Sequence, residues 1–206
     1  MKEIAIVDYN LGNITSIRRA LSFLGYKSII TNNPEIILKS EKVILPGVGA
    51  FPTAMSYLKK YDLIEAINET VKKGNDILGI CLGMQLLMQF SNEFERTKGL
   101  SLIEGDVISI NDILNDNIKL PCIGWYKLNK TKENAVLKNI KEDQWFYFVH
   151  SYMVNCRNEN DVIADYSVND ISITAIVKKN NITGLQFHPE NSGIEGLKFF
   201  TNFCKS

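Results

Sequence analysis

The chain has 206 residues, 45% hydrophobic and 22% charged, and its 23 lysines and arginines are balanced by 23 aspartates and glutamates. That length allows one large or two small domains with a substantial core. The neutral balance leaves no electrostatic drive toward nucleic acid or an anionic membrane. Cys81, Cys122, Cys156 and Cys204 lie far apart with no Cys-x-x-Cys pair, and two histidines leave too few ligands for a zinc site. Met1-Lys2-Glu3 leads directly into a strand-like run, so neither a signal peptide nor a membrane span is expected. The setting expected is cytoplasmic and reducing, with no metal and no cofactor.

The first half alternates short apolar runs with helical patterns. Ile4-Ala5-Ile6-Val7 predicts a strand with both faces buried. Asn13 is placed to cap a helix on which Ile14, Ile17, Leu21 and Leu24 share a face, and Gly25 stops it. Ser28-Ile29-Ile30 and Val43-Ile44-Leu45 predict the next two strands. Leu63, Ile64, Ile67 and Val71 mark a helix closed by Gly74, and residues 76–80 a fourth strand. Phe51, Tyr57, Tyr61, Met84 and Met88 read as core. Strands apolar on both faces and separated by amphipathic helices predict a parallel sheet covered on both sides.

In the second half the strand-like segments crowd together, at 107–110, 123–128, 145–149, 152–155, 162–166, 172–177 and 182–187. Hairpin spacing predicts antiparallel pairing there. A helix at 194–203 closes the chain. No linker or repeat interrupts it, so one α/β domain with a mixed, mainly parallel sheet is expected. Ligands of such sheets bind at the carboxyl ends of strands.

Three segments at such ends carry candidate chemistry. Gly79-Ile80-Cys81-Leu82-Gly83 has the layout of a nucleophile elbow, a strand turning sharply into a helix at a small-residue-flanked nucleophile. The flanking glycines would let the chain turn tightly, the helix N-terminus would favour a thiolate, and the Leu82 N–H is placed for an oxyanion. A buried structural cysteine is the alternative. Gln186-Phe187-His188-Pro189-Glu190 supplies a base, with Glu190 on the same side as His188 if the chain stays extended. His150 follows Trp145-Phe146-Tyr147-Phe148-Val149 and reads as a packed histidine. Gly47-Val48-Gly49 allows close backbone approach to an anion, or is an ordinary strand-to-helix turn. The segment from Asp8 to Asn13 lines the same end or caps its helix.

Together these segments resemble a class I, or triad, glutamine amidotransferase: Gly-Ile-Cys-Leu-Gly-Met-Gln at 79–85 is similar to that family's nucleophile segment, and Gln-Phe-His-Pro-Glu at 186–190 to its histidine–glutamate segment. Within it, Asp8–Asn13, Leu45–Phe51, Phe146–Tyr152 and His188–Gly193 resemble the glutaminase subunits of imidazole glycerol phosphate synthases. The resemblance implies a flavodoxin-like amidotransferase fold, with one glutaminase domain over residues 1–206. It implies a catalytic triad of Cys81, His188 and Glu190. It also implies an oxyanion site at Gly47, Val48, Gly49 and Leu82, with glutamine held by Gln85, Ser151 and Tyr152. The implied partner is a separate (β/α)8 cyclase that uses the ammonia in histidine biosynthesis, as a heterodimer. Pro121, Trp125, Tyr126 and Asn191 would face it. The chain departs from the subgroup at Cys122 and Tyr126, where Pro-His-Met-Gly-Trp-Asn is usual, and at Asn191, where lysine is usual. Those departures leave open a second reading, a related subunit supplying ammonia for amidotransfer onto a bacterial surface sugar.

Overall fold

A computed structural model describes residues 3–114, 119–130, 132–141 and 143–206. In chain order the elements begin β1 (Ile4–Val7), α1 (Ile14–Phe23), β2 (Ser28–Thr31), α2 (Pro34–Lys39), β3 (Lys42–Leu45), α3 (Phe51–Lys60), α4 (Leu63–Lys72), β4 (Asp76–Ile80) and α5 (Leu82–Leu86). They continue with β5 (Phe90–Ser91), β6 (Thr97–Lys98), β7 (Gly105–Ser109), α6 (Asn111–Leu114), β8 (Cys122–Lys127) and β9 (Asn129–Lys130). The last are β10 (Trp145–His150), β11 (Tyr152–Cys156), β12 (Val162–Val168), β13 (Ile171–Lys179), β14 (Ile182–Leu185) and α7 (Gly193–Lys205).

The expected mixed sheet is present, and two smaller sheets accompany it. Among the described residues the main one has eight strands in the order β2-β1-β3-β4-β14-β13-β12-β9. Its β2-β1-β3-β4-β14 half is parallel, and β13, β12 and β9 add antiparallel strands. Strands β10 and β8 form a separate antiparallel pair, and β11-β7-β5-β6 a further sheet. Hairpin spacing holds for β12-β13 and β13-β14, whereas β10 and β11, equally close in sequence, pair with β8 and β7 and not with each other.

The parallel strands are buried on both faces, as their unbroken apolar runs require. The main sheet divides the core in two. On one face α1 and α7 bury Ile17, Leu21, Phe199, Phe200 and Phe203. On the other, α2 to α5 bury Ile37, Leu58, Ile67 and Met84. Each such side chain contributes about 1.5–3 kcal/mol relative to exposure. Helix α2 was not anticipated, although Asn33 accepts from the Glu35 N–H and Pro34 opens the helix. Asn13 occupies the N-cap of α1 but makes no side-chain capping bond. Phe51, Met84 and Met88 are core as expected. Tyr57 and Tyr61 are only half-buried and stack on each other at 6.4 Å. No helix of the described residues is long and apolar enough to cross a membrane.

The register positions the site. Leu45 pairs with Gly79, and Leu185 pairs with Ile80. Three central strands therefore end side by side, and the residues that follow each one emerge together: the 46–49 turn, Cys81, and the segment from Gln186 to Glu190.

Candidate active site

Cys81 sits between β4 and α5 with φ 54° and ψ −112°, a strained conformation for a residue bearing a Cβ. The tight turn thus falls on the cysteine itself and not on its glycine neighbours. Those glycines serve close packing. A Cβ on Gly83 would overlap the carbonyl of Leu45, and one on Gly79 would lie 2.7 Å from the carbonyl oxygen of Gly83. Helix α5 can therefore lie directly against the ends of β3 and β4. The Cys81 carbonyl accepts from the N–H groups of Met84 and Gln85, so those of Leu82 and Gly83 are the helix donors without an intrahelical acceptor.

Strand β14 ends at Leu185, earlier than the sequence predicts; Gln186 is still tied to β13 of the main sheet, and His188 is held from β10. The His188 N–H donates to Tyr147 O at 2.9 Å, and the Ser192 hydroxyl donates to His188 O at 2.7 Å. Residues 189–191 form a 3-10 turn, so Glu190 meets the imidazole across a turn and not along an extended strand. Its Oε1 lies 2.9 Å from His188 Nδ1, with both side chains buried. That contact leaves Nε2 as the nitrogen toward Cys81, and Nε2 has no hydrogen-bond partner among the described residues. Burial opposes a charge on this histidine, but Cys81 and Glu190 outweigh it and raise its pKa well above the usual range.

His150 is committed elsewhere. Its Nδ1 donates to Tyr152 O at 2.7 Å, and its Nε2 accepts from the Tyr166 hydroxyl at 2.8 Å. A carbonyl can only accept, so the neutral Nδ1–H form is fixed. Burial above all, helped by the charge of His188, lowers its pKa to about 4. A ring with both nitrogens occupied is a structural histidine.

A cleft of about 390 Å³ opens beside the sulfur. Val48, Gly49, Leu82, Gln85, Ser151 and Tyr152 all line it, together with Pro121 and Glu93. Gly47 lies behind this wall: a Cβ there would come within 2.5 Å of the Tyr9 hydroxyl, which donates to Pro46 O. Gly49 takes φ 100°, which a residue with a Cβ rarely adopts. The Gln85 Nε2 gives one hydrogen to Tyr152 O at 3.0 Å and the other to Gln186 Oε1 at 3.1 Å. Both donors are spent inside the protein, so Gln85 can offer the cleft only its carbonyl oxygen.

Glu93, which lines the cleft, carries no signal in the sequence. It lies on the loop after β5, where no periodicity marks it. Its Oε2 accepts the Phe51 N–H at 2.7 Å, at the start of α3 just beyond the 46–49 turn. Burial raises its pKa, and the Phe51 N–H works against that. Gln186 was passed over as well. Its signal was visible: a glutamine enclosed between Leu185 and Phe187 is a buried polar group that needs partners.

The expected partner-facing residues divide. Trp125 and Ile123 lie on the outward face of β8, 50% and 57% exposed, and Trp125 packs edge-on against Tyr147 at 6.1 Å. Trp145, 55% exposed, extends that face, because Trp145, Tyr147 and Val149 pair with Lys127, Trp125 and Ile123. Tyr126 points the other way. Its ring packs 4.8 Å from Tyr166 and 5.8 Å from Phe148, as strand alternation requires. Pro121 and Asn191 are exposed, whereas Cys122 is buried.

The glutamine amidotransferase class-I family model matches residues 5–206. The chain is 45% identical to the imidazole glycerol phosphate synthase subunit HisH of Lactococcus lactis subsp. lactis (strain IL1403), over 100% of this chain and 99% of that protein. It is 44% identical to the subunit of the same name from Caldanaerobacter subterraneus subsp. tengcongensis, over 97% and 96%. Among solved structures, one described as PurLQS from Thermotoga maritima superposes with a TM-score of 0.75 at 21% identity, over 100% of this chain and 99% of that one. Another, described as a glutamine amidotransferase, gives 0.76 at 17% identity, over 98% and 100%. At such identities the likeness establishes a common fold.

Proposed function

The chain belongs to the class-I glutamine amidotransferase family, and from that premise we propose that it hydrolyses glutamine to glutamate and ammonia as the glutaminase subunit of an imidazole glycerol phosphate synthase. The observation that carries the chemistry is the His188 ring between Cys81 and Glu190, beside a cleft large enough for glutamine.

The Cys81 thiolate attacks the carboxamide carbon of glutamine, forming a C–S bond and a tetrahedral oxyanion. Backbone N–H groups at Leu82 and along Gly47–Gly49 receive that charge, one such donor typically contributing about 3 kcal/mol. Collapse breaks the C–N bond, and His188 delivers a proton to the departing ammonia. A water then loses a proton to His188 and attacks the thioester, releasing glutamate and regenerating the thiolate. Glu190 holds the imidazole in orientation throughout. At the other end of the substrate, the Glu93 carboxylate answers the α-ammonium, and the Gln85 carbonyl accepts a substrate N–H. Ser151 and Tyr152 complete the wall.

Ammonia released into neutral water is protonated and loses its nucleophilicity. That is the physical reason to expect a second subunit, a (β/α)8 cyclase bound over the strand ends. Support for the histidine-pathway assignment over amidotransfer onto a surface sugar comes from relatives of 40–45% identity along nearly the whole chain that carry the synthase-subunit name. The test is glutamine-dependent turnover by this chain mixed with the cyclase of histidine synthesis. Complex formation with stimulated glutamate release supports the assignment. No binding, with stimulation by a different barrel synthase, would favour the sugar-modifying reading.

A further inference from the structure

We propose that Gln186 is a further catalytic residue, its side-chain N–H donating to the sulfur of Cys81 and holding the thiolate in its attacking position. The inference rests on the nucleophile reading above and adds a partner to it.

The orientation of the Gln186 amide follows from a fixed point. Tyr152 O can only accept, and it lies 3.0 Å from Gln85 Nε2. That contact settles which end of Gln85 is nitrogen. The same nitrogen then faces Gln186 at 3.1 Å, so the Gln186 atom it meets is oxygen. The Gln186 Nε2 is consequently turned toward Cys81 Sγ, at 3.8 Å. Reversing the Gln186 amide would set two N–H donors against each other and point an acceptor oxygen at the sulfur.

The environment strengthens this contact. Gln186 is fully buried, and its own N–H donates to Ala175 O at 2.9 Å, pinning the backbone to β13. Besides His188, Val149 O lies at the sulfur, at 3.9 Å, and can hold only the protonated thiol. Ionisation of Cys81 turns that carbonyl into an unfavourable neighbour and makes the Gln186 N–H a favourable one. A neutral donor in a dry site keeps its hydrogen bond whatever the proton on His188 does. The thiolate therefore meets a donor before attack and again on release of glutamate, whatever the proton state of His188.

Two variants separate donation to sulfur from support of Gln85. Gln186→Glu keeps an acceptor for the Gln85 amide and removes the N–H aimed at sulfur. Gln186→Met keeps similar volume and removes both. The first readout is the rate at which iodoacetamide alkylates Cys81 in the subunit alone at one fixed pH, with the four cysteines resolved by peptide mass spectrometry. The second is glutamine turnover in the complex with the synthase partner, separated into kcat and KM, with thermal melting to report folding. We expect Cys81 alkylation to slow about tenfold in both variants, since hydrogen bonds to charged groups lie at the stronger end of the range. In Gln186→Glu, kcat should fall at least as far, with KM for glutamine held within about twofold. Unchanged alkylation and kcat in either folded variant would overturn the proposal. So would a rise in KM with kcat kept, because Gln186 would then only brace Gln85. If Gln186→Glu does not melt cooperatively, Gln186→Met decides by the alkylation rate. A Cys81 in the unaltered chain that reacts no faster than the other three cysteines would overturn the nucleophile reading and this inference with it. A fast Cys81 indifferent to Gln186 would overturn this inference alone.

Discussion

The Tyr166 hydroxyl donates across 2.8 Å to Nε2 of His150, which lines the cleft beside Cys81. The opposite nitrogen of the same ring holds the carbonyl of Tyr152, which in turn orients Gln85. A neutral, fully bonded imidazole therefore braces this wall of the cleft.

That arrangement makes stability depend on pH with a definite sign. The folded pKa of His150, about 4, lies below the ordinary value of 6.5. The unfolded chain thus binds a proton first as pH falls. The stabilising contribution is complete above pH 6.5 and is lost as pH drops toward 4, to a total of about 3 kcal/mol. His188 stays protonated in the folded protein across this window, and its titration in the unfolded chain is common to the two proteins compared and cancels. Denaturant titrations at pH 7 and pH 4 should show a smaller loss of stability for His150→Gln than for the unaltered chain. Equal losses in the two would refute the assignment.

The proposed triad ranks three variants. Cys81→Ala should abolish glutaminase activity while the fold persists, since it deletes one small side chain at a strand end. His188→Ala should lose nearly as much, because nucleophile and base act as a unit and their losses do not add. Glu190→Gln should retain more, since it orients and does not react. Steady-state glutamate formation by each variant with the partner checks the order. Most of the activity surviving in Cys81→Ala, or greater damage from His150→Ala than from His188→Ala, would mean the wrong groups have been chosen.

Gly83 should be among the least replaceable residues. A methyl group there would meet the Leu45 carbonyl, which is backbone and cannot swing aside. Gly83→Ala should destabilise by about 1–3 kcal/mol through overpacking, or prevent folding. Urea unfolding with an unchanged midpoint would show that α5 can shift away from β3 at no cost.

The parallel half of the fold was legible in the sequence because strands buried on both faces must be apolar throughout, as in 4–7 and 43–45. The proposed triad of Cys81, His188 and Glu190 could be singled out because flanking glycines and strand ends mark those positions locally. Other features could not, for physical reasons. Glu93 meets the site through a long-range contact to Phe51, 42 positions away in sequence, and nothing local encodes that. Tyr126 and Trp125 look equally suited to an interface, and only the alternation of β8 sends one inward and the other outward. The imidazole–carboxylate contact at His188 was anticipated, but by the wrong backbone path, because Pro189 opens a 3-10 turn.

The free subunit should be a poor glutaminase. Gly49 lies at φ 100° in the turn that flanks the cleft, and Val48 is exposed. Glycine makes rotation of these peptides cheap, so a bound partner can set which way their N–H groups point. Turnover of glutamine should therefore rise at least tenfold when the cyclase and its ligand are added. Gly49→Ala should blunt that rise, since alanine resists positive φ. High turnover by the subunit alone would sink the idea.

The partner should dock on the outward face of β8 and β10. Trp125 and Trp145 expose large aromatic surface there, backed by Tyr147, and aromatic anchors dominate interface energetics. Trp125→Ala should weaken cyclase binding by about 2 kcal/mol or more, and Trp145→Ala should also weaken it. Tyr126→Phe should leave binding within about twofold, because its ring packs inward against Tyr166 and Phe148. Asn191 is exposed and carries no charge, so reversing a partner carboxylate that faces it should change affinity little at any salt concentration. Titration calorimetry with each variant measures all of these. Full affinity in Trp125→Ala would place the partner on another face.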